Sequence, residues 1–122
     1  MILVDTSVWV DHLRAGDGTL VKLLHGMQVL THPFVVGELA CGNLHNRVEI
    51  LRSLQDLPQI PVAQDPEVLF FIERHRLMGC GIGYIDAHLL AATALADPAR
   101  IWTRDRRLRA AAEALSLAAP MD

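Results

Sequence analysis

The apolar positions along the chain fall into two rhythms. Short runs of β-type residues, closed by hydroxyls or carboxylates, alternate with longer stretches whose apolar residues recur every three or four positions. The opening run Ile2-Leu3-Val4 stops at Asp5-Thr6-Ser7, a junction that predicts a buried strand feeding a helix over Ser7 to Arg14. Ala15-Gly16-Asp17-Gly18 predicts a turn, and Thr19 to His25 a second helix with Leu20, Leu23 and Leu24 on one face. Gln28 to Thr31 reads as a strand. Pro33 suits the first turn of a third helix running to about Cys41. Arg47 to Leu57 is amphipathic, and Pro58 to Val62 brackets a short strand. Asp65-Pro66-Glu67 opens a helix over Glu67 to Met78, with Asp65 as its cap. Gly79 to Gly83 is a break. Tyr84 to Leu95 is apolar on nearly every side, the pattern of a helix buried in a core or an interface. Arg100 to Thr103 reads as a strand, Arg106 to Leu115 as a helix and Leu117 to Ala119 as a last short strand. Strands alternating with helices predict one domain over residues 1–122, of α/β class, with a parallel sheet covered on both faces.

Composition narrows the function. Hydrophobic residues make up 52% of the 122, enough for a real core. No apolar run reaches the roughly 18 residues of a membrane span, and no basic region precedes the apolar start as in a signal peptide. Cys41 and Cys80 lack CxxC spacing and read as free thiols, buried or incidentally exposed, in a reducing cytoplasm. The formal charge of −3 argues against a passive nucleic-acid binder held by a basic surface. It leaves room for an enzyme that meets phosphates through bound metal ions.

Most acidic residues have ordinary explanations. Asp97 sits in a turn, and Glu49 and Glu73 lie on solvated helix faces. Four others stand apart. Asp5 ends the first strand and Asp105 follows the last long one, and ligands in open parallel α/β sheets bind outside the carboxyl ends of the strands. The plain alternative for both is helix capping. Glu38 is the only charge in an apolar helix. Asp86 lies in the first turn of a very apolar helix, at the mouth of a stripe continuing to Leu90 and Thr93. The dipole alone favours a carboxylate there, by about 0.3–1 kcal/mol. Converging carboxylates repel: two charges about 5 Å apart cost roughly 3 kcal/mol at an effective dielectric near 20. Either some protonate or a cation enters. An all-oxygen pocket suits Mg²⁺ or Mn²⁺ rather than zinc, and a metal-bound water is a nucleophile for phosphodiester cleavage.

Val4-Asp5-Thr6-Ser7-Val8-Trp9, Glu38, Gly83-Tyr84-Ile85-Asp86-Ala87 and Trp102-Thr103-Arg104-Asp105, in this order, resemble the PIN-domain family. More closely, they resemble the VapC-type toxins of bacterial toxin–antitoxin pairs. The resemblance covers nearly the whole chain. It implies a three-layer α/β/α sandwich around a central parallel sheet, and a metal-dependent endoribonuclease activity. It implies Asp5, Glu38, Asp86 and Asp105 as the catalytic, metal-binding acids, with Asp5 and Asp86 in direct contact with Mg²⁺ or Mn²⁺. Glu38 and Asp105 would bind a second ion or orient water, and Ser7 and Thr103 would hold the cluster. Homodimers and a cognate VapB-type antitoxin covering the active site are implied as well. Some relatives carry a further acid two residues past the last aspartate, where this chain has Arg107, a departure that weighs against a strong second metal site.

Arg104, Arg106 and Arg107 surround Asp105 and are the candidates for contact with RNA or antitoxin. Arg106 and Arg107 fall in a first helical turn, where the dipole disfavours cations unless anions come near. No pair among the six histidines stands out as the acid and base of a metal-free ribonuclease. His88 reads as a hydrogen-bonded core or interface residue, and Trp9 and Trp102 read as core. Two alternatives remain at this level. A receiver-like Mg²⁺-binding signalling domain needs a lysine at the end of a late strand, and the single lysine, Lys22, is early. A non-catalytic interaction module would use the acids only as caps.

Overall fold

A computed structural model describes residues 1–122. Three parallel strands form the sheet, β1 (Ile2–Val4), β2 (Val29–Leu30) and β3 (Arg100–Trp102), in the order β2-β1-β3. Leu3 pairs with Leu30 on one side and Ile101 on the other. Leu3 and Val4 point to opposite faces of the central strand, and both are fully buried, so helices cover the sheet on both sides.

The helices are α1 (Thr6–Ala15), α2 (Gly18–His25), α3 (Pro33–Ala40), α4 (Arg47–Asp56), α5 (Asp65–His75), α6 (Tyr84–Leu95) and α7 (Arg106–Ala114). They match the seven helices expected, with ends shifted by up to three residues. α1 packs on α3, α3 on α4, α5 on α6, and α6 on β3. A cluster of 23 buried residues fills the interior, including Leu3, Val8, Leu89, Leu90, Ile101 and Leu108. Trp9 and Trp102 are both buried in it. No helix is long and apolar enough to cross a membrane.

Three expectations change. Pro58 to Val62 and Leu117 to Ala119 do not form strands. Each contributes one parallel bridge, Thr31 with Gln59 and Ile101 with Ala118, at opposite edges of the sheet. Both segments are too short to sustain a ladder, and Pro58 and Pro61 interrupt the first. The cap of α5 is Gln64, whose N–H donates to the Glu67 carboxylate at 2.9 Å. Asp65 is therefore the first helical residue, and its carboxylate turns to α6 instead. It accepts from the Tyr84 hydroxyl at 2.8 Å and pairs with His88 Nε2 at 3.1 Å. Both thiols, Cys41 and Cys80, are exposed.

Candidate active site

The chain leaves the central strand through Asp5, which is 6% exposed and caps α1. Capping is only part of what its carboxylate does. Oδ2 accepts from the Ser7 hydroxyl at 2.8 Å and the Thr103 hydroxyl at 2.8 Å, with a longer contact from the Ser7 N–H at 3.4 Å. The polarity of this network is forced. The Arg104 N–H donates to Ser7 Oγ at 2.9 Å, and the Asp105 N–H donates to Thr103 Oγ1 at 3.1 Å. Both hydroxyls thus spend a lone pair on the backbone and send their protons to Asp5. Oδ1 of Asp5 receives none of these bonds.

Thr103 directly follows β3, so the same hydroxyl ties the carboxyl end of one strand to that of its neighbour. Asp105, two residues on, caps α7 by accepting from the Leu108 N–H at 2.9 Å. Glu38 reaches back from α3 to the start of α1, where it accepts from the Thr6 hydroxyl at 3.0 Å. Asp86 lies half-buried in the first turn of α6. Burial pushes its carboxyl up to about 6, and the charges of Asp5, Asp105 and Glu38 add to that push, against a pull down from the Gly83 N–H. Asp86 therefore feels the charges of three acids that lie up to 81 positions away in the sequence. No three acidic, histidine or cysteine side chains form a ready-made cage for a single ion.

Grooves meet the acids on two sides. Glu38 lines one of about 520 Å³ with Arg14 and His45. Asp105 lines one of about 1270 Å³ with Arg106, Arg107 and Arg109.

Arg104 is not among the free arginines. Its guanidinium donates to Asp11 Oδ2 at 2.8 Å, to Asp17 Oδ2, and to the Asp122 carbonyl at 3.1 Å, and it stacks over Trp102. The Arg104 guanidinium holds Asp17 below the usual carboxylate range. With Nε, Nη1 and Nη2 all engaged inside the protein, Arg104 acts as a clasp between the segment after β3, α1 and the turn before α2.

His32 and His88, both buried, meet edge to face with ring centroids 6.5 Å apart. His32 Nδ1 accepts from the Phe34 N–H at 3.0 Å and caps α3. Burial, with His88 nearby, pushes His32 down to about 4. Residue pattern alone gave no hint of this pair, because its partners lie on α3, α5 and α6.

The PIN domain family matches residues 2–114. The chain belongs to the PIN-domain family. Ribonuclease VapC32 of Mycobacterium tuberculosis, represented in two strains, is 51% identical over 111 residues, covering 91% of this chain and 90% of the relative. Within the PIN-domain family this chain groups with the VapC-type ribonuclease toxins, and the receiver-like and interaction-module alternatives give way. PIN-domain nucleases of the VapC type are typically metal-dependent.

Proposed function

We propose that this PIN-domain chain cuts RNA internally by adding water to a phosphodiester, leaving a 5′-phosphate and a 3′-hydroxyl, with Asp5, Glu38, Asp86 and Asp105 as its acidic centre. The observation that carries the reading is the pressure that burial and the charges of Asp5, Asp105 and Glu38 put on the Asp86 carboxyl. A donor set of carboxylate oxygens alone fits Mg²⁺ or Mn²⁺, and such an ion needs only one or two protein carboxylates beside its waters. Asp5, through its unbonded Oδ1, and Asp86 are the residues we assign to hold the ion. When bound, the ion supplies a water of lowered pKa and positive charge beside the phosphate oxygens.

The chain's own residues do the rest. Ser7 and Thr103 hold the Asp5 carboxylate in one orientation through Oδ2, which leaves Oδ1 free for an ion. Thr6 steadies Glu38, which we assign, with Asp105, to orient the attacking water or a weaker second ion. Arg106 and Arg107, both exposed, are assigned to substrate or antitoxin contact. The family reading also supplies a homodimer and a VapB-type antitoxin that covers the site.

The test is RNA end-sequencing after induced expression, beside an Asp5→Asn control. Cleavage sites should appear with the parent and vanish with the variant, and Mn²⁺ titration of the purified protein should saturate for the parent alone. Equal cutting by Asp5→Asn sinks the assignment.

A further inference from the structure

Asp105, one of the four acids, also lines the larger groove. One wall of that groove is the start of α7, with Arg106, Arg107 and Arg109. The other is the end of α5 and the glycine loop, with His75, Cys80 and Gly81. We propose that this groove is the track for the RNA strand flanking the scissile bond, with Arg107, braced on Gly81, gripping a backbone phosphate beside Asp105. The proposal rests on the nuclease reading above and adds to it a path and a contact.

Charge is the first argument. The molecule is negative overall, at −3, yet two of the arginines in this groove have no acidic partner. Ion pairs engage Arg100, Arg104 and Arg109, the last through an exposed 3.8 Å contact with Glu113, and leave Arg106 and Arg107 unpaired. Both stand in the first turn of α7, where their charge opposes the helix dipole. An approaching phosphate removes that conflict.

Pre-organisation is the second. A methyl group placed on Gly81 would lie 2.6 Å from Arg107 Cδ, 2.9 Å from Nη1 and 3.0 Å from Nε. The guanidinium therefore rests directly on bare backbone. Gly81 also holds φ +81°, in the region that only glycine adopts freely. A braced arginine loses less freedom on binding than a waving one, and its planar fork matches phosphate oxygens.

The lining chooses the occupant. A protein segment needs large apolar contacts at its centre. The exposed large apolar residues, such as Leu69, Phe70 and Leu95, lie outside this groove, and the one leucine of its loop wall, Leu77, is buried. The apolar part of the lining is Leu77, Leu115 and small alanines of α7, with no aromatic anchor, and arginines along such a trough fit a nucleic-acid backbone better than an antitoxin helix.

The experiment measures binding of a fluorescent, mixed-sequence single-stranded RNA to full-length Asp5→Asn protein, which holds RNA without cutting it, across a salt series. Arg107→Ala on that background should bind about tenfold more weakly. The slope of log K against log salt should fall by about 0.7, the signature of one lost phosphate contact on a single strand. Gly81→Ala should weaken binding with every charge retained, and Arg107→Lys should recover part of the loss. Arg107 is exposed, so its replacement leaves the fold intact. Unchanged affinity and slope in Arg107→Ala, or no RNA binding by the parent at low salt, overturns the track, while cleavage by the wild-type chain is scored separately and keeps the nuclease reading standing. Unchanged RNA binding with lost binding of a poly-glutamate peptide assigns the groove to an acidic protein segment and also overturns it.

Discussion

At the scale of single residues, Asp86 and His32 carry opposite pH dependences. Asp86 titrates at about 6 in the folded chain against an ordinary 3.8. Between those values the unfolded chain releases its proton first, so stability present below 3.8 is lost as pH rises through 6. His32 titrates at about 4 against an ordinary 6.5. Its contribution is complete above 6.5 and is lost as pH falls toward 4. The two windows overlap, and the whole-protein profile will look flatter than either. Asp86→Asn separates them. Without metal at pH 7 it should be more stable than the parent by about 1–3 kcal/mol, a range discounted for partial exposure. Chemical denaturation should show the gap closing near pH 4, and also on adding Mn²⁺, which stabilises only the parent.

Among the elements, the turn between α1 and α2 is fastened to the segment after β3 by Arg104. One residue grips Asp11 and Asp17 with its side chain while its N–H supports Ser7, and through Ser7 the Asp5 carboxylate. Arg104→Ala should lower stability by about 1–2 kcal/mol in urea unfolding. It should also slow cleavage, since the loop carrying that N–H loosens. Arg107→Ala, by contrast, should leave the unfolding midpoint where it is. Two neighbouring arginines with opposite readouts distinguish a clasp from a contact.

The same pair shows what was legible in advance. Asp5, Asp86 and Asp105 could be picked out as candidates because each closes or opens a strongly patterned element, and Glu38 because it is the only charge in an apolar helix. Seven helices followed from apolar spacing and from glycine and proline punctuation. Long-range side-chain partnerships leave no such trace. Nothing near Arg104 announces Asp11 and Asp17, and nothing near Asp65 announces Tyr84 and His88. Asp65 before Pro66 looks like a cap by local rule, yet Glu67 reaches back to Gln64 and frees Asp65 for α6.

For the molecule as a whole, one group of exposed apolar side chains lines a trough that none of the four acids reaches. Phe70 is 67% exposed, and with Leu95 it lines this trough of about 500 Å³ between α5 and α6. If the chain pairs with a second copy, as the family reading holds, this face has the apolar anchors to do it. Phe70→Glu should then shift the sedimentation profile from dimer to monomer. RNA binding by one protomer should survive the change, because the arginine groove draws on other residues.

The Asp5 hydrogen bonds also determine which inactive variant is the fair one. Two hydroxyl protons arrive at one carboxylate oxygen, and the other oxygen takes none. An asparagine at this position offers its carbonyl to the hydroxyls and turns its amide toward solvent, so the internal half of the group is copied and only the outward half reversed. Alanine deletes both halves and strands two hydroxyl protons. A silent asparagine variant therefore reports lost chemistry, whereas a silent alanine variant reports a mixture of lost chemistry and disturbed scaffold.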